Sequence, residues 1–119
     1  MKSDGAKGHL DLVLLGVLAS GPAHGYAIIA TLNHRSEGVL DLTEGSVYPA
    51  LHRLEDVGLV ASEWKPVDRR RRREYCLTAD GASALAAQRR DWTRFATAIN
   101  AVLASVPQRL TGQPGLVRG

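Results

Sequence analysis

The stretch that most constrains this chain is L-D-L-V-L-L-G-V-L-A-S, from Leu10 to Ser20. Wound as a helix, it is apolar on nearly every side. Such a helix is stable only where neighbours cover it all round, so it must stand in the middle of its domain. With 119 residues there is one real but small core to build, and the other elements have to be laid against this helix. Gly21 and Pro22 end it, glycine supplying a left-handed stop and proline refusing continuation. The segment before it, residues 1–8, is polar, contains Gly5 and Gly8, and is expected to be a disordered N-terminus.

A second helix is expected from about Ala23 to Arg35, with Ile28, Ile29 and Leu32 on its buried face and Gly38 as its C-terminal stop. Gly25 near its start disfavours a helix by roughly 1 kcal/mol relative to alanine. Two reasons for it stand side by side: close packing of another backbone, or close approach of a phosphate. Val39 to Leu42 reads as a short extended link, and Thr43 as the N-cap of a third helix.

That third helix lies within T-E-G-S-V-Y-P-A-L-H-R-L-E-D-V-G-L-V, Thr43 to Val60. Val47, Leu51 and Leu54, with Gly58 closing the row, fall at helical spacing on one narrow face. Ser46, Pro49, Arg53 and Asp56 are rotated to the opposite face, flanked by Tyr48, His52 and Ala50. A short helix with small, aromatic and basic side chains on its free face suits a DNA major groove. Pro49 is unusual so far in, and it is expected to pin the helix start to about Ser46, where its missing amide would have no partner.

From Leu59 the pattern changes to L-V-A-S-E-W-K, a strand with Val60 and Trp64 on one face, broken by Pro66-Val67-Asp68. Arg69 to Arg73 is an unbroken arginine run, followed by a second strand, E-Y-C-L-T. Two short strands joined by a charged tip, directly after a helix-turn-helix, make a winged helix. Thr78 then caps a long alanine-rich helix from Ala79 to Ser105, with Asp80 in its first turn. Leu85, Trp92, Ile99 and Val106 recur every seven residues, and Phe95 with Val102, then Ala96 with Leu103, fill a second seam. This is more apolar stripe than one small core covers, and it argues for pairing between two copies of the helix. Pro107 ends it; 107–119 reads as a disordered tail.

The expected fold is mainly α with a two-stranded β wing: a winged helix-turn-helix plus a long C-terminal dimerisation helix. Its boundaries are a winged-helix domain at 9–78 and a dimerisation helix at 79–106. Net charge is +3 and the pI about 9.4, a balance that favours polyanionic partners without choosing among them. The single cysteine, Cys76, excludes an internal disulfide and any cysteine-pair zinc site. It reads as a small strand residue, the alternative being a redox sensor activated by nearby arginines. His9, His24, His34 and His52 lack metal-site spacing, and no Ser/His/Asp, paired-carboxylate or phosphate-loop pattern is present. No enzyme, metal or cofactor is expected. The run from Leu10 is too short and interrupted to span a membrane, and a cytoplasmic location is expected.

H-G-Y-A-I-I at His24 to Ile29, G-S-V-Y-P-A-L-H-R-L-E at Gly45 to Glu55, G-L-V at Gly58 to Val60 and Y-C-L-T-A-D-G at Tyr75 to Gly81 together resemble the PadR family of transcriptional regulators. The resemblance covers about Leu10 to Leu103, and its single C-terminal helix is similar to the short subfamily, which dimerises through that helix and an N-terminal one. The sequence departs from the family at the wing. Arg69 and Arg71 stand where relatives often have glycine and proline, and Glu74 stands at a position usually aromatic, which implies a different turn and a stronger, less specific phosphate grip.

The resemblance implies a homodimeric regulator, a repressor, on a pseudo-palindromic DNA operator. The residues expected at the DNA are Tyr26, Ser46, Tyr48, Pro49, His52 and Arg53, with Arg69, Arg70, Arg71, Arg72 and Arg73. Ser46 and Pro49 are the expected base readers, and Tyr48, His52 and Arg53 the expected phosphate clamps; Tyr48 packing against the wing, or Arg53 reading a guanine, is the alternative for each. A solvated charged loop is the bland reading of the arginine run, and phosphate or minor-groove contact the functional one. Trp92 is either dimer packing or, as in drug-responsive members of the subfamily, one wall of a slot for a small planar aromatic ligand. Phe95, Ala96 and Ile99 would complete that slot for a multidrug or phenolic effector. The expected partners are double-stranded DNA, a second copy of the chain and such a ligand, but no membrane. Two alternatives remain: a winged-helix module that binds protein with the same face, and a regulator without a small-molecule effector.

Overall fold

The computed structural model describes residues 2–107. In chain order the elements are α1 (Lys2–Leu18), β1 (Ala23–His24), α2 (Gly25–Arg35), α3 (Glu44–Asp56), β2 (Val60–Val67), β3 (Arg70–Leu77) and α4 (Ala79–Ala104). Helix α1 is enclosed as its composition demands. Nothing from Leu10 to Leu18 is exposed, and Leu14 and Leu15, which point about 100° apart on a helix, are both fully buried. It touches α2, α3 and β3. The helix starts at Lys2, not at His9; residues 2–8 hold no proline, and glycines weaken a helix without stopping it. The expected tail beyond Pro107 lies outside the described residues.

The second helix, by contrast, starts later than its sequence suggests. Ala23 and His24 form a two-residue strand, paired with Tyr75 and Glu74. The sheet therefore has three antiparallel strands in the order β1-β3-β2, where a two-stranded wing was expected; two residues are too few to show an alternating pattern. His24 is extended, and its Nδ1 accepts the Ala27 amide at 3.3 Å, so this side chain caps α2.

The turn from α2 to α3 is held from inside. Gly38 N–H reaches the Asn33 carbonyl at 2.8 Å and Glu37 N–H the His34 carbonyl at 3.1 Å, the paired bonds of a Schellman stop. Gly38 has positive φ as expected, yet the first left-handed residue is Glu37, at φ 54°. A side chain there is strained by roughly 1 kcal/mol. Glu37→Gly is accordingly expected to stabilise the fold by about 0.5–1 kcal/mol, read as a higher urea midpoint at unchanged slope. Further along, the Asn33 side-chain amide donates to the Leu42 carbonyl at 3.3 Å and accepts the Leu42 N–H at 2.9 Å. This clamp fixes where α3 begins.

Thr43 occupies the N-cap position, but its side chain makes no capping hydrogen bond. Its carbonyl does the work instead, accepting the amides of Ser46 at 3.2 Å and Val47 at 3.0 Å and the Ser46 hydroxyl at 3.0 Å. The helix thus starts at Glu44 and Pro49 lies inside it, depriving the Gly45 carbonyl of an amide partner one turn on. Val47, Leu51 and Leu54 are buried as expected. Ala50, assigned to the free side by its sequence position, is buried with them.

The wing differs most from expectation. Pro66 and Val67 do not break β2; the strand runs through them, with Pro66 opposite Arg71. Proline is tolerable there because β2 is an edge strand. The hairpin turn is Asp68-Arg69, at φ 50° and 68°, a two-residue turn that needs positive φ at both positions. Arg70 to Arg73 are therefore strand residues whose side chains alternate between faces, not a loop tip. Beyond β3, the Thr78 hydroxyl accepts the Gly81 amide at 3.0 Å and donates to the Gly58 carbonyl at 2.7 Å. It caps α4, as the sequence indicated, and ties that cap to the end of α3. The chain divides into two compact units between Ala87 and Gln88.

Candidate nucleic-acid interface

On α3, Ser46, Pro49, His52, Arg53 and Asp56 are exposed, while Tyr48 is half-buried. An open groove of about 350 Å³ runs beside this helix, lined by His24, Gly25, Tyr26, Tyr48, His52, Trp64, Arg71, Arg72, Arg73 and Tyr75. Residues from α2, α3 and the wing meet there. The Tyr48 ring lies over Gly25: a Cβ on Gly25 would stand 2.6 Å from Tyr48 Cζ and Oη. Glycine is needed at this site because an aromatic side chain, not another backbone, crosses it. Tyr75 forms the buried end, and desolvation raises its hydroxyl pKa above the ordinary phenol value despite the Arg73 charge nearby. It stays a neutral phenol at physiological pH.

The arginines of β3 divide by what they touch. Arg71 and Arg73 each place a guanidinium 5.4 Å from the Trp64 ring centre, a cation–π arrangement that holds extended side chains in place. Arg73 Nε also donates to Ser62 Oγ at 2.8 Å, Ser62 Oγ donates to Glu55 Oε2 at 2.8 Å, and Arg73 Nη2 lies 3.7 Å from Glu55 Oε1. This relay joins α3, β2 and β3, so Arg73 sets the angle between wing and helix and has its charge matched within the protein. Arg72 is half-buried, and its Nε has no hydrogen-bond partner in the protein. Arg69 and Arg70, at the turn, are exposed.

The groove thus gathers Tyr26, Tyr48, His52, Arg71, Arg72 and Arg73 from the expected set. Ser46 and Pro49 stand on the exposed face of α3 outside its lining. Arg53 does not stand free there: its Nη2 is paired with Asp11 Oδ1 of α1. Trp64 lines the groove, and Ser62 and Glu55 hold Arg73, though none of the three was expected at the site from sequence. Their part depends on the register Ser62↔Tyr75 and Trp64↔Arg73, and only the alternating strand pattern hinted at Trp64.

In the second unit, α4 carries exposed Trp92, Phe95, Ile99, Val102 and Leu103. The Trp92 and Phe95 rings are 6.0 Å apart at 43°, within the range of favourable aromatic pairs. Ala96, beside them, is half-buried. Cys76 is a free, half-buried thiol. Among the described residues no His, Cys, Asp and Glu cluster could hold a metal ion, and no helix is long and apolar enough to cross a membrane.

The sequence profile of the transcriptional regulator PadR-like family matches residues 14–87, more than half of the chain. This chain belongs to the PadR-like family. Transcriptional regulator Rv3488 of Mycobacterium tuberculosis is 39% identical to it over 79 residues, covering 66% of this chain and 71% of that one. Among solved structures, a transcriptional regulator from Clostridium thermocellum superposes at a TM-score of 0.75 with 26% identity, over 82% of this chain and 96% of that one. A PadR-like transcriptional regulator from Bacillus cereus superposes at 0.74 with 27% identity, over 84% and 96% of the two chains. PadR proteins are DNA-binding regulators of transcription, not enzymes. The groove and the exposed face of α3 gather aromatic and cationic side chains of this PadR protein, Tyr26, Tyr48, His52, Arg71 and Arg72 among them.

Proposed function

We propose that the protein is a homodimeric repressor that places α3 of each copy in successive major grooves of a pseudo-palindromic operator. The observation that carries this reading is the groove in which Tyr26, Tyr48, His52 and Arg71 converge beside the exposed face of α3. Its polar tips and arginine edge match a phosphodiester backbone, whose contacts fix register, while Ser46 and Pro49 on the helix face the bases. Arg69 and Arg70 at the turn extend the grip to the neighbouring phosphates or minor groove. Two-fold pairing rests on the apolar face of α4, where Phe95, Ile99, Val102 and Leu103 lie exposed in the single chain. Selection of bound duplexes from a random pool tests the reading: an inverted repeat with half-sites about 34–36 Å apart supports it, and recovery of no common sequence contradicts it.

Release by a small planar aromatic effector is supported by Trp92 and Phe95, which form a tilted ring pair with Ile99 one turn further along α4. An effector acts only by binding one dimer geometry better than the other. A planar cationic dye is expected to quench tryptophan fluorescence in the parent protein and to lose that effect in Trp92→Ala. Unchanged dye affinity in the variant, with Trp64 as the remaining reporter, would exclude the site.

A further inference from the structure

Helix α3 has one arginine or lysine, Arg53, against three acids, Glu44, Glu55 and Asp56. A helix that approaches phosphates with that balance depends heavily on its one strong cation. Yet Arg53 is held by Asp11, a residue 42 positions earlier on α1. The side chains are 47% and 26% exposed, so water screens the pair and it is worth only about 0.2–1 kcal/mol. Among the described residues the guanidinium has no second partner. That is strong enough to set where Arg53 rests and weak enough for a phosphate to break.

We infer that Asp11 competes with DNA for Arg53 and thereby sets how tightly the recognition helix binds. This rests on the reading that α3 meets DNA. In the free protein the guanidinium lies against α1. On the operator it exchanges the Asp11 carboxylate for a phosphate oxygen, and the energy of the broken pair is subtracted from binding. Asp11 is thus a tuning residue that touches no DNA, and the helix face presents a weaker cation than its sequence implies.

The decisive experiment is a double-mutant cycle on operator affinity with Asp11→Asn, Arg53→Gln and both together, measured by fluorescence anisotropy at fixed salt. Asparagine keeps the size of the side chain and removes its charge. Asp11→Asn is expected to bind DNA about 1.5- to 5-fold tighter, the equivalent of the pair's worth, and to lose that gain entirely in the Arg53→Gln background. Asp11→Glu, which keeps the charge, should bind as the parent does. An Asp11→Asn protein of unchanged or weaker affinity, with an unchanged melting temperature, would overturn the inference and make the pair a mere strut. A gain of equal size in both backgrounds would overturn it too, since it would report long-range charge alone. A parent protein that binds no DNA would refute the reading of α3 itself, which separates the two failures.

Discussion

Replacing Phe95 and Ile99 together with aspartate is expected to leave the winged-helix unit folded, convert the protein to monomers, and weaken operator binding roughly 10²- to 10⁴-fold. The size of the effect follows from linkage. Once one head of a dimer is bound, the second binds from a local concentration far above that in solution, and separating the copies forfeits that advantage. The two side chains are 57% and 43% exposed in the single chain, so aspartate there disrupts no core of its own molecule. Sedimentation velocity reads the change of mass, anisotropy on the full operator reads the loss of affinity, and anisotropy on a single half-site should hardly change. A variant that remains dimeric, or a monomer that binds the full operator as tightly as the parent, would break the link between the α4 face and DNA binding.

Simultaneous replacement of Arg69, Arg70 and Arg71 by alanine is expected to remove much of the salt dependence of binding. Each lost phosphate contact flattens the logarithmic salt slope by about 0.9. If all three contacts go, the fall in affinity on a half-site duplex between 50 and 200 mM salt should be about 40-fold smaller than in the parent. Arg73→Ala should behave differently, because Arg73 is engaged by Ser62, Glu55 and Trp64. Its loss should loosen the wing against α3 and lower stability by roughly 1–3 kcal/mol, with little change in slope. Equal slopes for the triple variant and the parent would mean that the wing does not grip the backbone.

The contrast between these arginines shows what was legible in the chain. The enclosed α1, the buried row of α3, the Thr78 cap and the length of α4 all follow from local spacing, and the sequence states them directly. The features that decide the site are long-range. Arg53 is tied down by Asp11, 42 residues away. Gly25 is required because of Tyr48, and β1 exists because Tyr75 and Glu74 lie beside it. The arginine run reads as a loop until the Asp68-Arg69 turn fixes the register. Only then do Arg71 and Arg73 fall on the Trp64 face. Period and capping belong to neighbours in sequence; which cation is free and which is held belongs to the fold.

Salt titration of the purified protein on DNA from its own promoter region, read by footprinting, bears most directly on the central claim. The account predicts a protected inverted repeat, with half-sites about one helical turn apart, and an affinity that falls steeply as salt rises. Affinity independent of salt, with no protected site, would contradict it and favour a winged helix whose exposed α3 face binds protein.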